Sequence, residues 1–217
     1  MMEIDFETAR FNAIEQQIRP WHIHDLEVLD KLKQTPREEF VLPSQKGVAF
    51  SDTELALPFD NRFLLSPKVE ARILQAVRPN LKGNVLIIGS DLGYLPCVLM
   101  SFNQQVSILD ENQELLNLAQ ANLQKYKLRV SLIHQPFIKK INQSFNTIIV
   151  TASIDKVYPE WLKSLENNGE LIAFIGNAPI LEAKKFTKIN NTISTLHLFE
   201  TWVNRLPNMP VSSSFYF

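Results

Sequence analysis

From Gly83 onward the chain alternates short apolar runs with helix-like patterns, and this alternation constrains the fold more than any other feature. VLIIG (85–89) is continuously apolar, as a strand buried on both faces of a parallel sheet is. The pattern predicts a helix at about 93–101, a strand at VSILD (106–110) and a helix at about 112–124. It then predicts strands at VSLI (130–133) and TIIVT (147–151), a helix at about 156–165, and a strand at ELIAFIG (170–176). Alternating units of this kind build a mostly parallel sheet with helices on both faces, an α/β fold. Residues 183–189 and 192–203 read as two more strands around Asn190-Asn191, residues that tolerate the positive φ of a tight turn. They predict an antiparallel hairpin closing one edge of the sheet.

N-terminal helices precede this core. Over residues 5–18, Phe6, Ala9, Ala13, Ile14 and Ile18 share one helical face, and Pro20 ends the run. A second short helix over 24–33 is expected to bury Leu26, Leu29 and Leu32. Residues 36–65 look irregular. A third helix starts at Ser66-Pro67, where serine suits the N-cap and proline the first helical position. Its apolar stripe is Val69, Ile73, Leu74 and Val77.

Length and charge narrow the class. A chain of 217 residues suffices for a single domain, 1–217, with 1–65 as N-terminal helices and loop and 66–217 as the sheet core. A net charge of −1 supplies no global attraction for nucleic acid or for an anionic membrane. The apolar runs are too short to span a bilayer, and the acid-bearing N-terminus does not read as a secretory signal. The one cysteine, Cys97, lies in the apolar stretch LPCVLM and is expected to be a buried small hydrophobe. A reducing, cytoplasmic setting fits.

In an open α/β sheet, ligands bind beyond the carboxyl ends of the strands at the topological switch point. Here that is the turn after VLIIG, where Gly89 and Gly93 allow close backbone approach and the next helix presents free N–H groups. Asp110 ends the second strand, where a carboxylate can accept from both hydroxyls of a ribose; a helix-leading acid is the simpler alternative. Together these residues suggest a nucleoside-containing cofactor without choosing between NAD and S-adenosylmethionine.

Six segments decide more. EQQIRPW (15–21), PREEFV (36–41), LLSPKVEARILQ (64–75), VLIIGSDLGYL (85–95), the stretch 145–176 and LFETW (198–202) together resemble, in order, the protein-L-isoaspartate O-methyltransferase family. The resemblance implies a Rossmann-like methyltransferase fold, S-adenosylmethionine as cofactor, and a peptide or protein substrate carrying isoaspartate. Such chemistry asks little of side chains: the substrate carboxylate is already ionised at neutral pH, and the site must hold it in line with an activated methyl, away from water. By resemblance Ser66 is the hydroxyl residue between cofactor and substrate, Gly89, Ser90, Asp91 and Gly93 form the cofactor loop, and Asp110 holds the ribose. No metal is implied.

Four elements depart from the family's pattern. Ile88 stands where an acid usually precedes the first loop glycine, and Asp91 stands at the middle glycine. PFDNRFLL (58–65) replaces a G-x-G turn, and Gln135-Pro136-Phe137 replaces the Gly-Asp-Gly whose acid contacts adenine. Either Asp91 takes over from the missing acid and reaches the cofactor's ammonium group, with Phe137 or Phe59 beside the adenine, or the pocket has lost its ligand and the chain serves as a binding or regulatory module. A third possibility keeps the cofactor and changes the substrate. Other residues carry less: His22 and His24 as a metal pair, His134 at the pocket edge, and Arg62 as a partner for a substrate carboxylate each compete with plainer roles. For Arg62 that role is a solvated loop arginine.

Overall fold

The computed structural model describes residues 5–59, 61–177, 179–190 and 192–210. Helix α1 (Phe6–Ala13) starts at Asp5, whose side chain accepts from the backbone N–H of Glu7 and Thr8. It runs on as a π-turn at Ile14–Ile18 and a 3₁₀ turn at Arg19–Trp21, and stops at His22, which is left-handed (φ 63°). Helix α2 (Leu26–Gln34) is capped in the same way by Asp25. Its buried stripe is Val28, Leu29 and Leu32. Leu26 does not join it, contrary to the sequence expectation: at the first helical position it points past the packed face and is 67% exposed.

Within the stretch expected to be irregular, β1 (Leu55–Ala56) and β2 (Phe63–Leu64) pair antiparallel. Helix α3 (Pro67–Val77) follows. It buries Val69, Ile73, Leu74 and Val77 as predicted, and also Glu70.

The main sheet has seven strands: β3 (Asn84–Ile88), β4 (Gln105–Asp110), β5 (Ser131–His134), β6 (Phe145–Ile154), β7 (Leu165–Asn177), β8 (Ile180–Ile189) and β9 (Thr192–Thr201). Their spatial order is β5-β4-β3-β6-β7-β8-β9. Pairings from β5 through to β7 are parallel, and β7/β8 and β8/β9 are antiparallel. The expected hairpin is therefore present, turning at Asn190 (φ 55°); Asn191 lies outside the described residues. Helices α4 (Tyr94–Ser101) and α5 (Gln113–Lys125) match the predicted spans closely. Helix α6 (Pro159–Lys163) is shorter than expected, because Leu165 already pairs with Phe145 and begins β7.

Two apolar clusters sandwich the sheet. One joins Ile14, Leu29, Ile73, Ile87 and Leu116, so the N-terminal helices share a core with the strands. The other joins Leu86, Ile148, Trp161 and Leu206. Cys97 is buried as expected, and burial pushes its thiol up to about 11, well above the range of a reactive thiolate. No helix among the described residues is long and apolar enough to cross a membrane.

The chain leaves β3 for β4 and β5 on one side, then crosses back to β6 on the other. The switch point is thus between the carboxyl ends of β3 and β6, at Gly89 and Thr151.

Candidate active site

The loop after β3 is built around a buried carboxylate. Asp110, at the end of β4, is 0% exposed. Its Oδ2 accepts from the backbone N–H of Ser90 at 2.6 Å and its Oδ1 from that of Asn112 at 2.9 Å. These contacts alone tie the two strand ends together. The Arg62 guanidinium supplies the rest, donating through Nη2 to Oδ2 at 2.7 Å and through Nη1 to Oδ1 at 3.2 Å. Arg62 is 4% exposed, and its guanidinium carbon lies 5.7 Å from the centre of the Phe137 ring. It is neither a solvated loop arginine nor aimed at a substrate. The turn between β1 and β2 delivers it, with Leu57 N–H donating to the Arg62 carbonyl at 2.8 Å and Asn61 left-handed (φ 49°).

Gly89 shows how closely the groups meet. At φ 94° it occupies a region that L-residues rarely adopt. A methyl group added there would stand 2.5 Å from Thr151 Oγ1, 3.1 Å from Arg62 Nη2 and 3.3 Å from Leu206 Cδ1. Thr151 donates to the Gly89 carbonyl at 2.9 Å, which pins the loop to β6. Leu206 arrives because the segment after β9 pairs with the end of β6: Ser153 N–H donates to the Asn204 carbonyl, and Leu206 N–H to the Ser153 carbonyl, both at 2.9 Å.

The structure gives Asp91 a different task from the predicted contact with an ammonium group. Its Oδ1 accepts from Gly93 N–H at 2.6 Å and its Oδ2 from Leu95 N–H at 3.0 Å, so the carboxylate turns back and caps α4. Burial pushes its pKa up, against the pull of these N–H donors and of Arg37. Ser90 is likewise turned inward, its hydroxyl donating to the Asp91 carbonyl at 2.9 Å. Asp91→Ala leaves two buried N–H groups without their acceptor and is expected to lower stability by about 1–2 kcal/mol in a urea melt. A loss below about 0.5 kcal/mol would show that the cap is idle.

The aromatic expectations change as well. Phe137 is buried in the second core cluster, and its carbonyl accepts from Trp161 Nε1 at 2.8 Å. It cannot stack on an adenine without leaving that core. Phe59 packs on the first cluster. His134 faces outward, its Nε2 2.9 Å from the Glu111 carbonyl. His22 and His24 meet only edge to face, and no group of three metal-ligating side chains occurs among the described residues.

Ser66 stands apart from this loop. It occupies the N-cap position of α3, but its hydroxyl makes no capping bond, contrary to the sequence expectation (ψ 151° carries the chain into the helix). It lines instead an open cavity of about 480 Å³ with Phe63, Lys68, Glu54 and Trp202. Behind it sits Arg37, 1% exposed, which donates to the Leu65 carbonyl at 2.6 Å and the Ala49 carbonyl at 2.8 Å, pairs with Glu70, and lies 4.8 Å from the Tyr94 ring. Arg37 thereby sets the chain path just before Ser66. Lys68, paired with Asp52, lies over the Trp21 ring at 4.1 Å.

Gly89, Ser90, Asp91, Gly93 and Asp110 are therefore brought together, and Ser66 lines a neighbouring cavity. Sequence reasoning missed Arg37, Thr151 and Leu206 and misplaced Arg62. The one local signal was an arginine in a loop adjoining apolar residues.

The switch-point loop, the strand-end carboxylate and the antiparallel edge define a Rossmann-like α/β class with a nucleoside-type loop, and family membership makes it the S-adenosylmethionine-dependent methyltransferase class. The sequence model of the protein-L-isoaspartate(D-aspartate) O-methyltransferase family matches residues 10–202, and the chain belongs to that family. Among its relatives, protein-L-isoaspartate O-methyltransferase 1 of Syntrophobacter fumaroxidans is 29% identical over 80% of this chain and 82% of its own. A protein-L-isoaspartate O-methyltransferase of Bradyrhizobium sp. is 30% identical over 71% of this chain and 73% of its own. A Plasmodium falciparum structure described as a protein-L-isoaspartate O-methyltransferase in complex with S-adenosyl-L-homocysteine superposes with a TM-score of 0.79 at 20% identity. It covers 94% of this chain and 99% of its own, which places the fold.

Proposed function

We propose that this chain transfers the methyl group of S-adenosylmethionine to the free carboxylate of isoaspartyl residues in damaged proteins, the reaction of its family. The observation that carries this is the match to the family over residues 10–202, with Asp110 at the strand end beside the switch point. The comparisons lend nothing to a relative that has lost its cofactor. The open cavity beside Ser66 is where a peptide would lie, and Lys68 on its wall, now paired with Asp52, would have to exchange that partner to meet the substrate carboxylate. Gly89 and Gly93 would let the cofactor approach the loop backbone, with Asp110 as acceptor for its ribose. Ser90 and Asp91 act behind them, holding the loop's shape.

In this structure Arg62 meets both oxygens of Asp110 and its guanidinium lies close over Gly89, so a ribose reaching Asp110 displaces that pair. The single cysteine leaves the fold with no internal disulfide to protect, which fits a reducing compartment such as the cytoplasm. The deciding experiment incubates the full chain with an isoaspartyl peptide and S-adenosylmethionine. The expected result is a methyl ester on that peptide by mass spectrometry and none on its aspartyl isomer. Equal labelling of both, or of neither, would overturn the assignment.

A further inference from the structure

We propose that Arg62 is an internal competitor for the cofactor, occupying the ribose acceptor in the free protein and setting the affinity with which the nucleoside binds. This rests on the methyltransferase assignment above. A guanidinium presents two parallel N–H donors to the two oxygens of a carboxylate. Two adjacent ribose hydroxyls ask for the same pair of acceptors. Arg62 meets Asp110 in that forked manner, at 2.7 and 3.2 Å. Asp110 also accepts a backbone N–H on each oxygen, from Ser90 and Asn112. One carboxylate cannot serve the fork and the diol together.

The rest of the enclosure points the same way. Arg62 Nη2 sits 3.5 Å from the Ser90 carbonyl and close over Gly89, with Phe137 below and Leu206 beside it. These groups cover the loop glycine, the place where a cofactor in an open α/β sheet approaches the backbone. The turn that carries Arg62 is held by a two-residue strand pair, Leu55↔Leu64 and Ala56↔Phe63, and by the Leu57–Arg62 backbone bond. A short hairpin of this kind has little ladder to break when it moves. Binding then draws on the fraction of molecules in which the fork has withdrawn, and the observed affinity is the intrinsic one reduced by that fraction.

The test is calorimetric titration of the full chain and its variants with S-adenosylhomocysteine, with melting temperatures measured beside it. Arg62→Gln shortens the side chain and removes the charge. Arg62→Lys keeps a charge but gives up the fork, and it carries the same test should Arg62→Gln fold poorly. The expected result is about ten-fold or greater tightening of the dissociation constant in Arg62→Gln. Arg62→Lys is expected to lie between it and the unaltered protein. The ligand-free variant should melt lower and gain more on ligand addition. Affinities within about two-fold of each other, or weaker binding by both variants as from a merely loosened site, would overturn the competition and leave the methyltransferase assignment standing. Absence of binding by the unaltered protein and both variants would overturn both.

Discussion

Asp110→Asn is expected to destabilise the fold by about 3–5 kcal/mol, the cost typical of breaking a buried ion pair from one side. The substitution changes only one atom in shape, so packing barely enters. What it removes is the charge opposite Arg62, a guanidinium that is only 4% exposed. It also turns an acceptor into a donor facing either Arg62 or the N–H of Ser90 or Asn112, all of which donate to Asp110. Urea unfolding of Asp110→Asn, Arg62→Gln and the double variant measures this directly. The double variant is expected to lose less than the sum of the singles by at least about 1 kcal/mol, because each single leaves one buried group stranded. Simple additivity would mean that the two side chains contribute independently. In Asp110→Asn alone, affinity for S-adenosylhomocysteine is expected to fall although Arg62 is no longer pinned, since the ribose has lost its acceptor.

The second large effect concerns Arg37. Arg37→Met is expected to cost about 3–5 kcal/mol, because the thioether fills much of the volume but leaves the Glu70 carboxyl, mostly neutral near pH 7, as the first of three buried acceptors to lose a donor at about 1–3 kcal/mol each. It also frees the Leu65 and Ala49 carbonyls that Arg37 holds at 2.6 and 2.8 Å. Glu70 supplies an independent readout. Burial pushes its carboxyl from 4.5 up to about 8, against the pull of Arg37 and with Asp91 adding to the rise. An acid whose folded pKa lies above its unfolded one binds its proton more tightly in the folded state. Its favourable contribution is complete at low pH and is lost as pH rises from about 4.5 towards about 8. Glu70→Gln is expected to flatten this part of the stability–pH curve, by up to about 1.4 kcal/mol per pH unit at the steepest point. Parallel curves for the two proteins would show that Glu70 stays charged throughout.

Much of the fold was legible because it rests on local periodicity. The continuous apolar run at 85–89, the alternation after it, and the Ser66-Pro67 start of α3 depend on neighbours a few residues away, and each element was found near its expected place. Asp110 was placed at a strand end by counting, and Gly89 by the turn it must make. The hairpin around Asn190 followed from one asparagine's tolerance of positive φ. The aromatic C-terminal segment SSSFYF, whose sequence predicts that it docks on the domain or a partner, lies outside the described residues, as does Asp60 of the loop before Ser66.

The sequence by itself thus determined the α/β alternation, the family and the position of the cofactor loop, since each is written in short-range pattern or in residue order. Only the tertiary structure decided what fills that loop. Arg62 and Asp110 are 48 residues apart, and nothing in either segment marks them as partners. Arg37 and Glu70 are 33 apart, and an acid on a helix face reads as solvated until a buried guanidinium is brought against it. Leu206 covers Gly89 because the chain after β9 returns to the end of β6. Burial of charge depends on which distant segments meet, and that is set by sheet order and crossover path rather than by spacing along the chain.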